Sequence, residues 1–294
     1  MAIHNKPRLL LLSAFVASLI LSIGVSVYWS LNKGEQAIVQ PVDKILRFSY
    51  TLTNSSADFI PRAEFYSYLP LIIPGKQVVG SISSSHNYEV IEGDGSQPSI
   101  KFVLKDFPPY GSKIVSLTIE VQVSALPQRD DIKEAVYLKA EKYIEADSSV
   151  VQNLAKSFES SPEKAAYQWL ANNIKDAGYV AENKGARFAL EQRSGDCTEH
   201  MYAFVALARA RGIPARGVAG FVLEKPAEIL TSSSYHNWAE YYDGEKWILV
   251  DSQRRLFNNA YQNYIPFRVF GGESESSTSA NRFLTTDPRI FINL

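Results

Sequence analysis

The chain has 294 residues, 46% of them hydrophobic and 12% aromatic, with a formal net charge of -1. That is material for more than one compact core, and it excludes a largely disordered chain. The near-neutral balance, with no basic cluster interleaved with aromatics, gives no footprint for a nucleic-acid partner.

In chain order, the first feature is a short basic lead followed by an uncharged run from Leu9 to Leu31. About 20 apolar residues are needed to cross a bilayer, and this run has that length. A cleaved signal peptide is the alternative, with an apolar region of about 7 to 15 residues ending in small residues. Gly24 and Ser26 offer a cleavage pair, but the run continues past them to Tyr28 and Trp29, rings that favour a membrane interface. Residues 1–31 are therefore expected to be a tail and an uncleaved transmembrane anchor. Lys6 and Arg8 would keep the tail in the cytoplasm, leaving a single-pass protein whose remainder lies on the periplasmic or extracellular side.

From Lys44 to Ser124 the pattern becomes short alternating runs, "ILRFSYTLT", "AEFYSYLPL", "NYEVIEG", "SIKFVLK" and "KIVSLTIEVQVS", with turn residues between them. The expectation is an all-β sandwich of immunoglobulin-like type over 44–125. The acidic "EGDGS" at 92–96 lacks calcium-loop spacing and reads as a turn, so no metal site and no cofactor are expected.

Beyond Pro127 the period becomes helical. "YLKAEKYI" and "SSVVQNLAKSF" precede "SSPEKAAYQWLANNIKD", where a Ser cap, Pro162 and Glu163 open a helix with Ala166, Trp169, Leu170 and Ile174 on one face. Trp169 reads as core. "GGESESSTSAN" at 271–281 reads as a surface loop.

Between these lies "RSGDCTEHMYAFVALARARGIPAR", which holds the single cysteine of the chain, Cys197. A lone thiol is a packed side chain, a redox handle or a nucleophile. Asp196 followed three residues later by Glu199 forms a capping box with Cys197 as the first helical residue. There the free N–H groups and the helix dipole favour an anion and a reactive thiolate. A buried apolar cysteine is expected within a helix, not at its polar mouth.

A nucleophilic thiol needs a base, and the chain has four histidines. His4 is in the tail, His86 lies between β runs, and His200 is three positions along the same helix, pointing past the thiol. His236 remains, in "YHNWAEYYDGEKWILVDSQ". "DG" at 243 and 244 signals a hairpin. A turn centred on that pair sets Tyr241 against Lys246, Trp238 against Leu249 and His236 against Asp251. Opposed side chains project from one face, so Asp251 is expected to hold one nitrogen of His236 and Cys197 the other.

"GDCTEH", "ARARGIPAR" with "GVAGFVL", and "HNWAEYYDGEKWILVD" together resemble the transglutaminase-like superfamily, over about residues 135 to 270. The resemblance implies a papain-like fold with Cys197 as nucleophile, His236 as general base and acid, and Asp251 as orienting carboxylate. It also implies that Gly212, Pro214 and Arg216 are scaffold of the turn after the helix. The expected fold class is thus α+β: residues 1–31 an anchor, 44–125 a sandwich, and 128–294 a catalytic domain with its own core. The arrangement looks like bacterial exported members; calcium sites of the eukaryotic type are not recognisable.

The chemistry these residue types support is attack by the Cys197 thiolate on a carboxamide or peptide carbonyl of a protein or peptide substrate, giving a thioester. The oxyanion would be met by the Cys197 N–H and a second donor, for which Gln192 is a candidate if it is not a plain surface residue. Water then gives hydrolysis, as in a protease or amidase, and an amine gives transfer, as in a transglutaminase. The alternative is a catalytically idle module that binds a peptide or envelope partner.

Overall fold

The computed structural model describes residues 40–91, 98–129, 134–179, 182–270 and 283–294. The expected anchor at Leu9 to Leu31, the turn at 92–96 and the loop at 271–281 lie outside them. Among the described residues no helix is long and apolar enough to cross a membrane.

Six strands come first: β1 (Val42–Asn54), β2 (Ile60–Tyr68), β3 (Gln77–Ser84), β4 (Tyr88–Ile91), β5 (Ser99–Phe107) and β6 (Ser112–Val123). Alternation decides their faces: in β1, Leu46, Phe48, Tyr50 and Leu52 point inward, while Arg47, Ser49, Thr51 and Thr53 point out. β1 pairs antiparallel with β6, from Val42 opposite Val123 to Thr53 opposite Ser112. The alternating runs therefore do make strands, and β3, which has no strict apolar alternation, joins them along β6.

Helices follow: α1 (Ser149–Lys156), α2 (Pro162–Asn173), α3 (Gly185–Gln192) and α4 (Cys197–Ala210). "YLKAEKYI" is not an α-helix; a 3-10 turn at Glu134–Leu138 gives way to turns. Ser161 precedes Pro162 at φ 45° and makes no capping bond. α4 is buried from Glu199 to Arg209 and ends in a Schellman turn, in which Gly212 at φ 73° takes the left-handed conformation. Its N–H donates to Arg209 O, and Ile213 N–H donates to Ala208 O.

Apart from a short ladder of Lys175–Asp176 with Ser194–Gly195, the remaining strands are β7 (Ala215–Val222), β8 (Ala227–Ile229), β9 (Tyr235–Tyr242), β10 (Trp247–Asp251), β11 (Leu256–Phe257), β12 (Tyr264–Phe270), β13 (Phe283–Thr285) and β14 (Ile290–Asn293). A sheet of order β11-β10-β9-β7-β12 carries α4 on one face. Arg216 on β7 forms a buried ion pair with Glu240 on β9 and lies 3.8 Å from the Trp247 ring centroid, which pins the turn after α4 to the hairpin.

Segments beyond the expected boundary between 125 and 128 return to the sandwich. β8 pairs with β1, β13 with β2 and β14 with β1, so late segments complete both sandwich sheets, β8-β1-β6-β3 (with β14 also on β1) and β13-β2-β5-β4. Phe221 on β7 and Phe267 on β12 pack into the sandwich core, with Phe221 in edge contact with Phe48 at 5.3 Å. The physical reason is that Phe221, Leu223, Ile265 and Phe267, at one end of the site sheet, carry large apolar side chains that the sandwich residues bury. Residues 41–294 accordingly form one compact unit.

Candidate active site

The mouth of α4 is built from its N-cap, Asp196, and its first three residues. Asp196 Oδ1 accepts from Thr198 N at 2.8 Å, and Glu199 Oε2 accepts from Asp196 N at 3.2 Å, which completes the capping box. Glu199 also accepts from Lys184 N at 3.0 Å, and its burial lifts the carboxyl above its usual range. Gly195 is required by this packing, since a Cβ there would lie 2.3 Å from Glu199 Cβ. Cys197 is left half-buried at the first helical position, where helix geometry gives its N–H no intrahelical acceptor.

His236 lies on β9 and Asp251 at the end of β10, both buried. His236 Nε2 stands 2.7 Å from Asp251 Oδ2, and Cys197 lies near enough to the same imidazole to favour its charged form. With Nε2 committed to the carboxylate, Nδ1 is the nitrogen left to serve the thiol. Burial alone would lower the pKa of His236. The hydrogen bond to Asp251, with the influence of Cys197 and the fields of both groups, outweighs this and raises it to about 9. Asp251 is held below the usual carboxylate range: burial opposes this, but His236, Arg254 N–H and Tyr264 O–H stabilise its charge.

The route to that geometry differs from the expected one. The hairpin pairs Ala239 with Val250, Glu240 with Leu249, Tyr241 with Ile248 and Tyr242 with Trp247, a register displaced by two residues. Its loop is Asp243 to Lys246, because Asp243 Oδ1 accepts from the N–H groups of both Glu245 and Lys246. Extended by one residue, this register sets Asp251 level with Trp238, diagonal to His236. A shift of two keeps every side chain on its face, and diagonal partners remain within reach of a long or aromatic side chain.

Three further neighbours surround the pair. Tyr264 on β12 donates from its hydroxyl to Asp251 Oδ2 at 2.8 Å, sharing that oxygen with His236. Arg254 N–H donates to Asp251 Oδ1 at 3.0 Å. His200, expected to point past the thiol, is buried with Nδ1 2.8 Å from Ser252 Oγ, and burial lowers its pKa to about 4 despite the nearby Asp251 and Asp176. The helical spacing of three from Cys197 is the one sequence sign that His200 shares the face of the thiol. Gln192 is exposed at the end of α3. Among the described residues no group of three or more His, Cys, Asp or Glu side chains is placed to hold a metal ion.

Residues 140–252 match the family model of the transglutaminase-like superfamily, a span that contains all three expected site residues. None of the curated proteins compared with the chain matches it. Among solved structures it is similar to a putative cysteine protease from Cytophaga hutchinsonii at 19% identity and a TM-score of 0.59, over 86% of this chain and 90% of that one. It also aligns with the periplasmic domain of TgpA from Pseudomonas aeruginosa bound to ethylmercury, at 15% identity and a TM-score of 0.40, over 75% and 92% of the two chains. The first of these likenesses is one of fold: mixed helix and sheet, with antiparallel sheets around a transglutaminase-like core.

Proposed function

We propose, for a chain that carries a transglutaminase-like superfamily domain over residues 140–252, that it is a cysteine-dependent enzyme acting on a carboxamide or peptide bond. The observation that carries this reading is the His236 imidazole, held at Nε2 by Asp251 and close enough to the one cysteine, at the mouth of α4, for the two to act on each other's charge. An imidazolium that persists through neutral pH is the partner a thiolate nucleophile needs. Sulfur attacks the carbonyl carbon, and the oxyanion is received by the Cys197 N–H at the helix N-terminus. The C–N bond then breaks as the departing amine or ammonia takes the His236 proton, leaving a thioester. His236, now neutral, takes a proton from water or an incoming amine as that group displaces the sulfur.

Peptide-bond hydrolysis is the favoured outcome, with support from the Cytophaga protein of the same fold, which is described as a putative cysteine protease. Mass spectrometry of candidate peptides after incubation with the full chain tests this. Cleavage supports hydrolysis of the main chain, a deamidation shift an amidase, and an amine adduct a transglutaminase. Unchanged peptides, together with a thiol indifferent to His236, would leave an idle binding module.

We also read the β1–β6 sandwich as an immunoglobulin-like unit, and Leu9 to Leu31 as a single-pass anchor that holds the enzyme on the non-cytoplasmic side of a membrane. The support is the strand spacing in the first case, and the uncharged run behind Lys6 and Arg8 in the second.

A further inference from the structure

Two hydrogen bonds tie the mouth of α4 to the strands that carry the other site residues. Asn237 Nδ2 donates to Thr198 Oγ1 at 2.9 Å; Thr198 follows Cys197 in sequence, and Asn237 follows His236. His200, one turn along the helix, is joined at 2.8 Å to Ser252, which follows Asp251. Each site residue on the sheet therefore has its next neighbour fastened to the helix that bears the thiol.

The faces of β9 explain why such fastenings are needed. Side chains alternate along a strand, so Asn237, Ala239 and Tyr241 share the face that α4 covers. Ala239 and Tyr241 pack with α4 residues in one apolar cluster. Apolar contact fixes the distance between helix and sheet but permits sliding along it. A hydrogen bond from Asn237 to Thr198 removes that freedom one residue from both the thiol and the imidazole. The bond from His200 to Ser252 does the same beside the carboxylate.

Asn237 is not placed there for stability alone. Its Oδ1 is buried and has no hydrogen-bond partner among the described residues, an arrangement that costs free energy which an apolar side chain at that position would avoid. His200 is likewise a buried imidazole held neutral.

We propose that Thr198 with Asn237, and His200 with Ser252, are positioning pairs that set the Cys197–His236 and His236–Asp251 spacings. This rests on reading those three as nucleophile, base and orienting carboxylate.

Because Cys197 is the one thiol, its alkylation by iodoacetamide at neutral pH reads the site without a known substrate. In the full chain, Thr198→Val and Asn237→Ala should each slow labelling about tenfold, since a sub-ångström misplacement is enough for a loss of that size. Thr198→Ser, which keeps the hydroxyl, should restore the rate. The double variant Thr198→Val/Asn237→Ala should be no slower than either single one, the signature of one shared bond. Ser252→Ala and His200→Ala should behave as a second coupled pair, with thermal melts confirming folded protein throughout. Wild-type labelling of Thr198→Val, or effects of the two members that simply multiply, would overturn the proposal. His236→Ala separates the two layers: if it labels like wild type, the reading of the site as catalytic fails; if it slows labelling while Thr198→Val does not, only the positioning role fails.

Discussion

His236 and His200 are both buried close to Asp251, at 8% and 4% exposure, yet burial sets the charge state of only one of them. On the β9 wall of the site, His236 meets a carboxylate oxygen at 2.7 Å and a thiol, and its pKa rises to about 9. On the α4 wall, His200 meets a neutral serine hydroxyl at 2.8 Å, and its pKa falls to about 4. Both are desolvated; what separates them is a charged hydrogen-bond partner against an uncharged one. Proximity to Asp251 is therefore not enough to keep an imidazole protonated. The one directly bonded to it is equipped for proton transfer, and the other is equipped to hold structure.

The largest test of that difference is deletion of each ring. His236→Ala should reduce turnover by a factor on the order of 10⁶, and Asp251→Asn, which leaves the nucleophile but disturbs the tautomer, by one on the order of 10⁴. His200→Gln should cost only about tenfold. Steady-state kinetics on any substrate found by mass spectrometry would decide; equal losses for the two histidines would erase the distinction.

The part of this contrast that is legible in the sequence is the local part. Asp196, Cys197 and Glu199 lie within one helical turn, so the capping box and the place of the thiol follow from spacing alone. The pairing of His236 with Asp251 is reached for a partly wrong reason: Asp243 accepts two backbone N–H groups and lengthens the loop, and only the even size of the shift keeps both side chains on one face. The role of His200 depends on Ser252, 52 positions away, and that of Tyr264 on a strand paired to β7 rather than β9. Long-range pairing of this kind leaves no periodicity to read. The same holds for β8, β13 and β14, short segments whose partners β1 and β2 lie far away in sequence.

Tyr264 offers a finer test. It donates to the Asp251 oxygen that holds His236, so it stabilises the carboxylate charge and weakens that oxygen's hold on the imidazolium. Tyr264→Phe should leave Asp251 more basic and move the alkaline limb of activity above about pH 9, the value for His236 in the intact site. Turnover should fall by about threefold to tenfold, within the range of one charged hydrogen bond, and stability by about 1.5 to 3 kcal/mol. A pH profile that stays in place while activity drops would make Tyr264 a packing residue only.

The smallest expected effect is on stability, and the two histidines give it opposite signs. His236 has a folded pKa of about 9 against an ordinary 6.5, so the folded protein binds the extra proton. Its contribution is complete below pH 6.5 and is lost as pH rises through 9. His200 has a folded pKa of about 4, so between 6.5 and 4 the unfolded chain takes the proton first. Its contribution is complete above pH 6.5 and is lost as pH falls through 4. The depressed Asp251 adds to the acid side, but only below the ordinary carboxylate range, beneath most of the His200 window. His200→Gln, which cannot titrate, should therefore flatten the fall in Tm between pH 6.5 and about pH 4.5 by roughly 4 °C, and leave the alkaline side unchanged. His236→Gln should flatten the alkaline side and leave the acid one. Differential scanning calorimetry across both ranges measures the two slopes independently. An acid limb that survives in His200→Gln would mean that His200 is protonated in the folded protein after all, and that the contrast between the two walls does not exist.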